Sequence, residues 1–370
     1  MKQIKKVFKG VSFTGSLKNY LGKENVSLCH FLFFLDIADI ARFIENNFYS
    51  DKDWHFRYDV AGMIKLAVVK FFRQQPYKKI VISEEEAWLL GFKENKEKDG
   101  TIPIPSGGTL HHFVKYRLGI EGITKIMEMV GEKIIKLIDS KDAKLDSTPL
   151  EASRYDAHSD FNPHYECKMD KAHITMIGTY PVFMTYTDGL AGDSPQLPLH
   201  IAALLKMNAK INEYCLDGSY DSFQNHADIW YKLNANPCIS LSVDAVINEE
   251  GEIERIDHWT NKMWKLGGSR HMKIDEKLRF LYENGRQEQV GMYLRNQNLK
   301  NKTFPDSLKL RKECERIHGH IKNTVKFDVR RIREKSRELY SKFNFVAYQL
   351  LLLTNLQNGV KPANAFGNYI

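Results

Sequence analysis

The spacing of apolar residues changes near residue 140. Before that point they recur every three to four positions, as in segment 59–72, and this periodicity predicts helices. Ser83, followed by three glutamates, predicts an N-cap with acids in the first helical turn, where the helix dipole favours them. A loop is predicted over 93–108, and helical spacing resumes over 109–118 and 121–138.

After Ala143 the pattern changes to short strand-like runs separated by turns and helical segments. The predicted strands are 144–147, 173–179, 182–187, 211–216 and 238–243, and the predicted helices between them are 196–207 and 222–233. Strands that come first in hairpin order and then alternate with helices predict a mixed sheet covered by helices. The fold class is therefore α/β, or α+β for the whole chain.

The same pattern predicts two regions. Residues 1–140 form an all-helical region, and residues 141–370 form an α/β domain. A polar stretch at about 244–303, with glycine breaks, predicts an insertion into that domain. From about residue 306 the pattern is helical again, first highly charged and then apolar.

The charge of the chain is concentrated in one part of it. Its 370 residues include 54 Lys and Arg and 46 Asp and Glu, a formal net charge of +8, and 43% apolar residues exclude a disordered protein. Between Arg255 and Tyr340 lie 22 basic and 11 acidic residues, against 32 and 35 elsewhere. Such a surplus suits a phosphate-bearing partner, because Lys and Arg release counterions from phosphates. From charge alone, a solvated helical face explains it equally well.

Neither the cysteines nor the apolar runs indicate an extracellular or membrane protein. The five cysteines are odd in number and form no Cys-x-x-Cys pair, which predicts reduced thiols rather than disulfides or a zinc site. His164 and Cys167 lack a second pair at ligand spacing. The apolar stretch 28–40 is interrupted by polar residues and falls short of the roughly 20 residues of a membrane span. Residues 1–9 lead into no apolar segment of a secretory signal.

Three acidic residues occupy positions where carboxylates can perform chemistry. Asp146 lies inside a predicted strand and Asp217 closes another, and strand ends are where sites collect in α/β sheets. On the predicted helix around residues 308–322, one polar stripe contains Arg311, Glu315, His318 and Lys322. Gathered in space, the two aspartates and Glu315 could hold two Mg²⁺ or Mn²⁺ ions, since hard divalent ions prefer oxygen ligands. Two such ions support in-line displacement at phosphorus.

Each of these acids also has a purely structural explanation. Asp146 could cap a strand end, and Asp217 could form a turn through local hydrogen bonds. Glu315 could pair with Arg311 one helical turn before it. Spacing alone does not distinguish Glu315 from Glu313. The chemical interpretation depends on all three acids occurring in this order, with this secondary structure and this local positive charge.

The segments around the three acids resemble those of DDE transposases of bacterial insertion sequences, which have a ribonuclease H-like catalytic core. Leu145-Asp146-Ser147-Thr148 is similar to the family's first-Asp motif, and Asp217-Gly218-Ser219-Tyr220-Asp221 is similar to its second. Arg311-x-x-x-Glu315-x-x-x-x-x-x-Lys322 resembles the signature Tyr-x-x-Arg-x-x-x-Glu-x-x-x-x-x-x-Lys, and this register selects Glu315 over Glu313. The resemblance extends roughly from Tyr58 to Lys322.

The resemblance implies a fold and an activity. The fold is a ribonuclease H-like mixed sheet flanked by helices, preceded by a helical region that binds DNA and dimerises. Asp146, Asp217 and Glu315 would hold two Mg²⁺ or Mn²⁺ ions, for cleavage at terminal inverted repeats and strand transfer into target DNA. The implied partners are those two DNAs and a second copy in the synaptic complex, in the bacterial cytoplasm at the nucleoid and without a membrane.

Arg311 and Lys322 are implied to position phosphates beside the ions. Arg316, Lys171 and Trp259 are further predicted DNA contacts, although Trp259 could be a buried structural residue instead of a platform for a base. Leu308 stands where the signature has Tyr, so the phenol contact is lost or supplied from elsewhere. Two alternatives stay open: a nuclease on the same scaffold that cuts without joining, and a DNA-binding descendant without catalysis.

Overall fold

Two compact units make up the structure, a computed structural model. It describes residues 4–8, 11–15, 17, 27–50, 58–94, 100–242, 273–301, 304–309, 311–325, 327 and 334–360. The first unit comprises Met1–Ile138, Leu150–Met169 and Gly319–Ile370, and the second comprises Asp139–Pro149 and Asp170–His318. The first boundary lies close to the predicted one, and the first unit also contains two later segments that the prediction placed in the α/β domain.

A two-stranded antiparallel hairpin lies at the start of the first unit, where the pattern predicted helices. Its strands are β1, Ile4–Phe8, and β2, Val11–Gly15. Both are rich in β-branched and aromatic residues, which fit an extended backbone. The all-helical prediction for residues 1–140 is therefore wrong at its N-terminal end.

The regular elements described from Leu28 to Leu137 are helical. Their bounds are Leu28–Phe33, Ala38–Phe48, Val60–Arg73, Tyr77–Lys79 (3-10), Glu84–Leu90, Gly107–His112, Phe113–Leu118 (π) and Gly119–Leu137. The predicted helix at 59–72 is confirmed, with Asp59 as its N-cap accepting from the Gly62 N–H at 3.1 Å. The Ser83 cap is confirmed as well, because Ser83 and Glu86 form a reciprocal capping box.

The C-terminal helix Glu334–Gln357 belongs to the same unit and fills its core. Phe343, Phe345 and Leu351 are fully buried, and the Phe343 ring stacks on Phe71 with a centroid distance of 4.6 Å. The apolar pattern predicted near the C-terminus is thus a core helix. No helix in the described ranges is long and apolar enough to cross a membrane.

A six-stranded mixed sheet contains a strand that overlaps each predicted one, although the strands at 173–179 and 238–243 end earlier than predicted. Its strands are β3 (Asp142–Glu151), β4 (Asp160–Asn162), β5 (Cys167–Ile177), β6 (Tyr180–Asp188), β7 (Glu213–Leu216) and β8 (Asn236–Ile239). The order is β4-β5-β3-β7-β8, with β6 on β5. β5 and β6 are antiparallel, whereas β3, β7 and β8 run parallel. A mixed sheet flanked by helices confirms the predicted fold class.

The parallel register of β3 and β7 determines where the two aspartates lie. Lys144 of β3 pairs with Cys215 of β7. Asp146 and Asp217 each follow their paired residue by two positions. Because side chains alternate along a strand, both aspartates belong to one face of the sheet, with Asp146 in the middle of β3 and Asp217 directly after the end of β7.

Helices of the second unit pack against one another around this sheet. Their bounds are Leu197–Lys206, Phe223–Leu233, Ile274–Glu283, Gln287–Lys300 and Phe304–Lys309, followed by Lys312–Val325, which continues into the first unit. Residues 273–301, at the end of the predicted insertion, are helical and share an apolar cluster of Leu278, Leu281 and Val290 with Ala227. The rest of that predicted insertion, with Trp259, lies outside the described residues.

Candidate active site

Asp146 and Asp217 face the same guanidinium group. Nη1 of Arg311 lies 3.9 Å from Oδ1 of Asp146 and 3.8 Å from Oδ2 of Asp217. The Asp146 side chain is 12% exposed and that of Asp217 is 28% exposed. Two of the three predicted catalytic acids are therefore brought together, with the predicted phosphate-binding arginine between them.

Asp217 acts as a turn former and faces the site at the same time. Its Oδ1 accepts from the backbone N–H of Ser219 at 3.0 Å and from the Ser219 hydroxyl, which holds the 3-10 turn Gly218–Tyr220. Its Oδ2 is the atom that faces Arg311. The structural and chemical interpretations of this residue are thus compatible, because each uses a different oxygen.

Asp146 is held in an environment that disfavours its charge. Burial, together with the nearby carboxylates of Asp217 and Asp193, raises the pKa of Asp146 to about 7, although Arg311 lowers it. One guanidinium therefore does not offset the negative charge gathered here. Oxygen donors with surplus negative charge suit a hard divalent cation, so Asp146 and Asp217 fit the implied Mg²⁺ or Mn²⁺.

The third predicted acid lies on helix Lys312–Val325. His318, one turn after Glu315, is buried, and its Nδ1 lies 4.0 Å from Oδ2 of Asp146. Glu315 itself is exposed. In the described part of the chain, Asp146, Asp217 and Glu315 do not form a cluster in which one carboxylate oxygen from each residue lies within 4.8 Å of the others. Its neighbour Glu313 accepts from Arg316 at 2.6 Å.

The predicted DNA contacts lie in different environments. Arg311 is part of the acidic site, and Lys322 lies two helical turns after Glu315 on the same helix. Arg316 is exposed and paired with a neighbouring glutamate. The side chain of Lys171 is only 14% exposed, and its ammonium lies 3.2 Å from Oδ1 of Asp193. Asp193 was not predicted, since in the sequence Asp before Ser-Pro resembles an ordinary turn or helix cap.

A second group of potential metal ligands consists of two thiols and a carboxylate. Among the described residues, Glu213, Cys215 and Cys238 form a group whose donor atoms lie within 4.8 Å of one another. A hydrogen bond with Cys215, together with burial, raises the pKa of Cys238, and the Cys215 thiol donates to the Ser307 carbonyl at 3.4 Å. Leu308, which replaces the signature Tyr, packs against this pair. All five cysteines are free, as predicted.

The region that contains these residues matches a known family. A family model described as Transposase DDE domain matches residues 131–344, more than half of the chain. The chain belongs to this family. Asp146, Asp217 and Glu315 of this transposase all lie within the matched region. No curated protein gives a match. A cryo-EM structure of a piggyBac transposase synaptic complex with hairpin DNA aligns over 91% of this chain and 83% of that chain, at 12% identity and a TM-score of 0.28.

Proposed function

We propose that this transposase cleaves DNA at the ends of its element and joins the freed 3′ hydroxyl to target DNA, with metal ions held by Asp146, Asp217 and Glu315. The observation that supports it is the pair of aspartates on the neighbouring strands β3 and β7, both facing Arg311. Like charges this close need a cation to stay ionised together. A divalent ion that binds both carboxylates supplies that charge.

The chemistry needs no covalent bond to the protein. Bound Mg²⁺ or Mn²⁺, two ions in this proposal, would activate the attacking oxygen and stabilise the leaving one. Water attacks the phosphorus at the element end, the bond from phosphorus to the 3′ oxygen breaks, and a 3′ hydroxyl is released. That hydroxyl then attacks a phosphate of the target and releases a target 3′ hydroxyl, so the number of phosphodiester bonds is unchanged in this step.

Basic residues hold the DNA beside these acids. The planar guanidinium of Arg311 suits bidentate contact with a phosphate, and Lys322 adds a charge on the helix that begins directly after Arg311. The basic surplus between Arg255 and Tyr340 supplies the wider attraction. The N-terminal region binds the terminal inverted repeats, and joining two ends requires at least a dimer in the synaptic complex. The reaction takes place where the element resides, in the bacterial cytoplasm at the nucleoid.

Cleavage of labelled element ends with Mg²⁺ or Mn²⁺ tests the three acids. Asp146→Asn and Asp217→Asn should each lower the cleavage rate more than about 100-fold, since even changes in outer-shell groups cost 10–100-fold. Glu315→Gln should have the same effect. Two matched controls should cleave at the wild-type rate. They are Asp142→Asn, at the start of β3, and Glu313→Gln, on the helix that carries Glu315.

Each outcome has a separate meaning. If the folded Asp146→Asn and Asp217→Asn variants cut as fast as the wild type, the proposed function is rejected. If Glu315→Gln alone stays active, the third ligand lies elsewhere. Cleavage without strand-transfer products identifies a nuclease, and DNA binding without any metal-dependent cleavage identifies a non-catalytic descendant.

A further inference from the structure

Asp193 is a buried carboxylate that the proposed chemistry does not use. It lies after β6, immediately before the 3-10 turn Ser194–Gln196, and its side chain is 14% exposed. An Asp at this position ordinarily caps the turn with its side chain. Here the side chain makes no capping hydrogen bond. Its carboxylate is engaged with other parts of the second unit.

One oxygen of Asp193 contacts a serine close to each of the two proposed aspartate ligands. The Ser147 hydroxyl donates to Oδ2 of Asp193 at 3.0 Å, and the Ser219 hydroxyl lies 3.4 Å from the same oxygen. Ser147 directly follows Asp146, and Ser219 is two residues after Asp217. A single atom thereby links strand β3 to the turn that follows β7.

The other oxygen of Asp193 is anchored from β5. The Lys171 ammonium donates to Oδ1 at 3.2 Å and to the Ala191 carbonyl at 2.9 Å. Nδ1 of the fully buried His173 lies 3.6 Å from Oδ1. Lys171 balances the charge of Asp193, and both of its contacts keep the loop 191–193 against the sheet. Lys171 therefore holds the Asp193 carboxylate in the position from which it contacts the two serines.

We infer that Asp193 is a positioning residue that sets the separation of Asp146 and Asp217 for the metal ions, acting through Ser147 and Ser219. This inference rests on the proposed function. The pairing of β3 with β7 extends only to Lys144 and Cys215, two residues before the ligands. The two ligand carboxylates repel each other, so without a tether they would move apart in the absence of metal. Partners in the outer shell of a metal site commonly orient its ligands in this way.

Titration of the metal-free full chain with Mn²⁺ in the absence of DNA tests this role, with Mn²⁺ affinity as the readout. Asp193→Asn should weaken binding by 10–100-fold, the usual effect of losing an outer-shell partner. Ser147→Ala should weaken it roughly fivefold, the equivalent of one hydrogen bond, although it removes no charge. Asp188→Asn is the matched control, because Asp188 contacts the backbone N–H groups of Leu190 and Ala191 in the same loop.

The double variant separates a tether from a general charge effect. If Asp193 acts through Ser147, the Ser147→Ala change should have little further effect in the Asp193→Asn background. Fully additive effects, or a wild-type affinity for Ser147→Ala, would overturn the tether. Thermal unfolding identifies folded variants, and if Asp193→Asn does not fold, Ser147→Ala alone decides the question.

Two further variants distinguish failure of this inference from failure of the proposed function. If Asp146→Asn and Asp217→Asn abolish Mn²⁺ binding while Asp193→Asn and Ser147→Ala bind like the wild type, only the role of Asp193 is rejected. If Asp146→Asn and Asp217→Asn bind Mn²⁺ like the wild type, the ligand assignment fails, and the inference fails with it.

Discussion

At the residue scale, Gly218 determines how closely the turn after Asp217 approaches the chain at Leu241. A Cβ atom at Gly218 would lie 2.6 Å from the Leu241 carbonyl oxygen and 3.2 Å from the Ser242 Cα. Both are backbone atoms, so a rotamer change cannot relieve the contact. The glycine of this motif is needed because two backbones meet there.

We therefore predict that Gly218→Ala moves the turn and lowers the free energy of unfolding by roughly 1–3 kcal/mol, the cost of overpacking. It should also slow metal-dependent cleavage, because Oδ2 of Asp217 shifts with the turn. Gly319→Ala is the control: inside helix Lys312–Val325 its Cβ would meet nothing within 4 Å. That change should stabilise the protein by about 0.5–1 kcal/mol. Urea unfolding measures the stability change of each variant. Equal unfolding midpoints for Gly218→Ala and the wild type would contradict the steric argument.

At this scale the sequence identifies Asp146 and Asp217 as candidates but does not identify Asp193. Each predicted aspartate lies in a motif that can be compared with a family. The partners of Asp193, Ser147 and Ser219, are 46 and 26 residues away in the chain. No local spacing reports such contacts, because they arise only when β3 and β7 become neighbours.

At the element scale, helix Lys312–Val325 presents a polar stripe whose members have different surroundings. The predicted helix around 308–322 is interrupted, because one helix ends at Lys309 and the next begins at Lys312, so Arg311 precedes the helix that carries His318. Both side chains nevertheless lie near Asp146. Glu315 lies between them in sequence and is exposed. The 3.6-residue period determines which residues share a helix face, but not how far each side chain reaches.

Lys322 on this helix provides a test of DNA contact. If Lys322 neutralises one phosphate, Lys322→Ala should weaken binding to element ends and reduce the slope of log affinity against log salt by about one. Lys309→Ala is the control, because the Lys309 ammonium lies 2.7 Å from the carboxylate of Asp306 on the preceding helix. The slope of log affinity against log salt should change little in this variant. Binding titrations at several salt concentrations measure the slope, and a wild-type slope for Lys322→Ala would reject the contact.

At the scale of the whole molecule, a buried ion pair joins distant parts of the chain within the first unit. Nη1 of Arg337 donates to Oδ2 of Asp156 and to Oγ of Ser159, both at 2.6 Å, and Arg337 is 181 residues from Asp156. Burial would raise the pKa of Asp156, but the His158 N–H and Arg337 hold it below its ordinary value. The pair connects the C-terminal helix to the segment between β3 and β5.

We predict that Arg337→Met lowers the free energy of unfolding by about 3–5 kcal/mol at neutral pH, because it leaves a buried carboxylate unpaired. The double variant Asp156→Asn/Arg337→Met should lose less than the sum of its single changes. Because the folded pKa of Asp156 is depressed, the pair stabilises the protein above the unfolded pKa, and this contribution is lost as the pH falls through the folded pKa.

Urea unfolding at neutral pH and at about pH 3 measures how much the Arg337–Asp156 pair contributes to the free energy of unfolding and in which direction that contribution changes with pH. The difference between the wild type and Arg337→Met should shrink at the lower pH. Lys136→Met, which removes an exposed pair with Glu132 at 2.6 Å, should change stability by no more than about 0.5 kcal/mol. A pH-independent difference for Arg337→Met would show that the lost stability comes from packing rather than from the ion pair.

The sequence by itself determined the fold class, most helix and strand positions and the two strand aspartates, because these depend on short-range periodicity, capping and local motifs. The N-terminal hairpin was not predicted, because its strands are only five residues long each and precede a region with helical spacing. Only the tertiary structure decided that Arg311 lies between Asp146 and Asp217, that Lys171 is buried against Asp193, and that Arg337 pairs with Asp156. These contacts depend on the register of parallel strands and on packing between segments far apart in the chain, which no local pattern encodes.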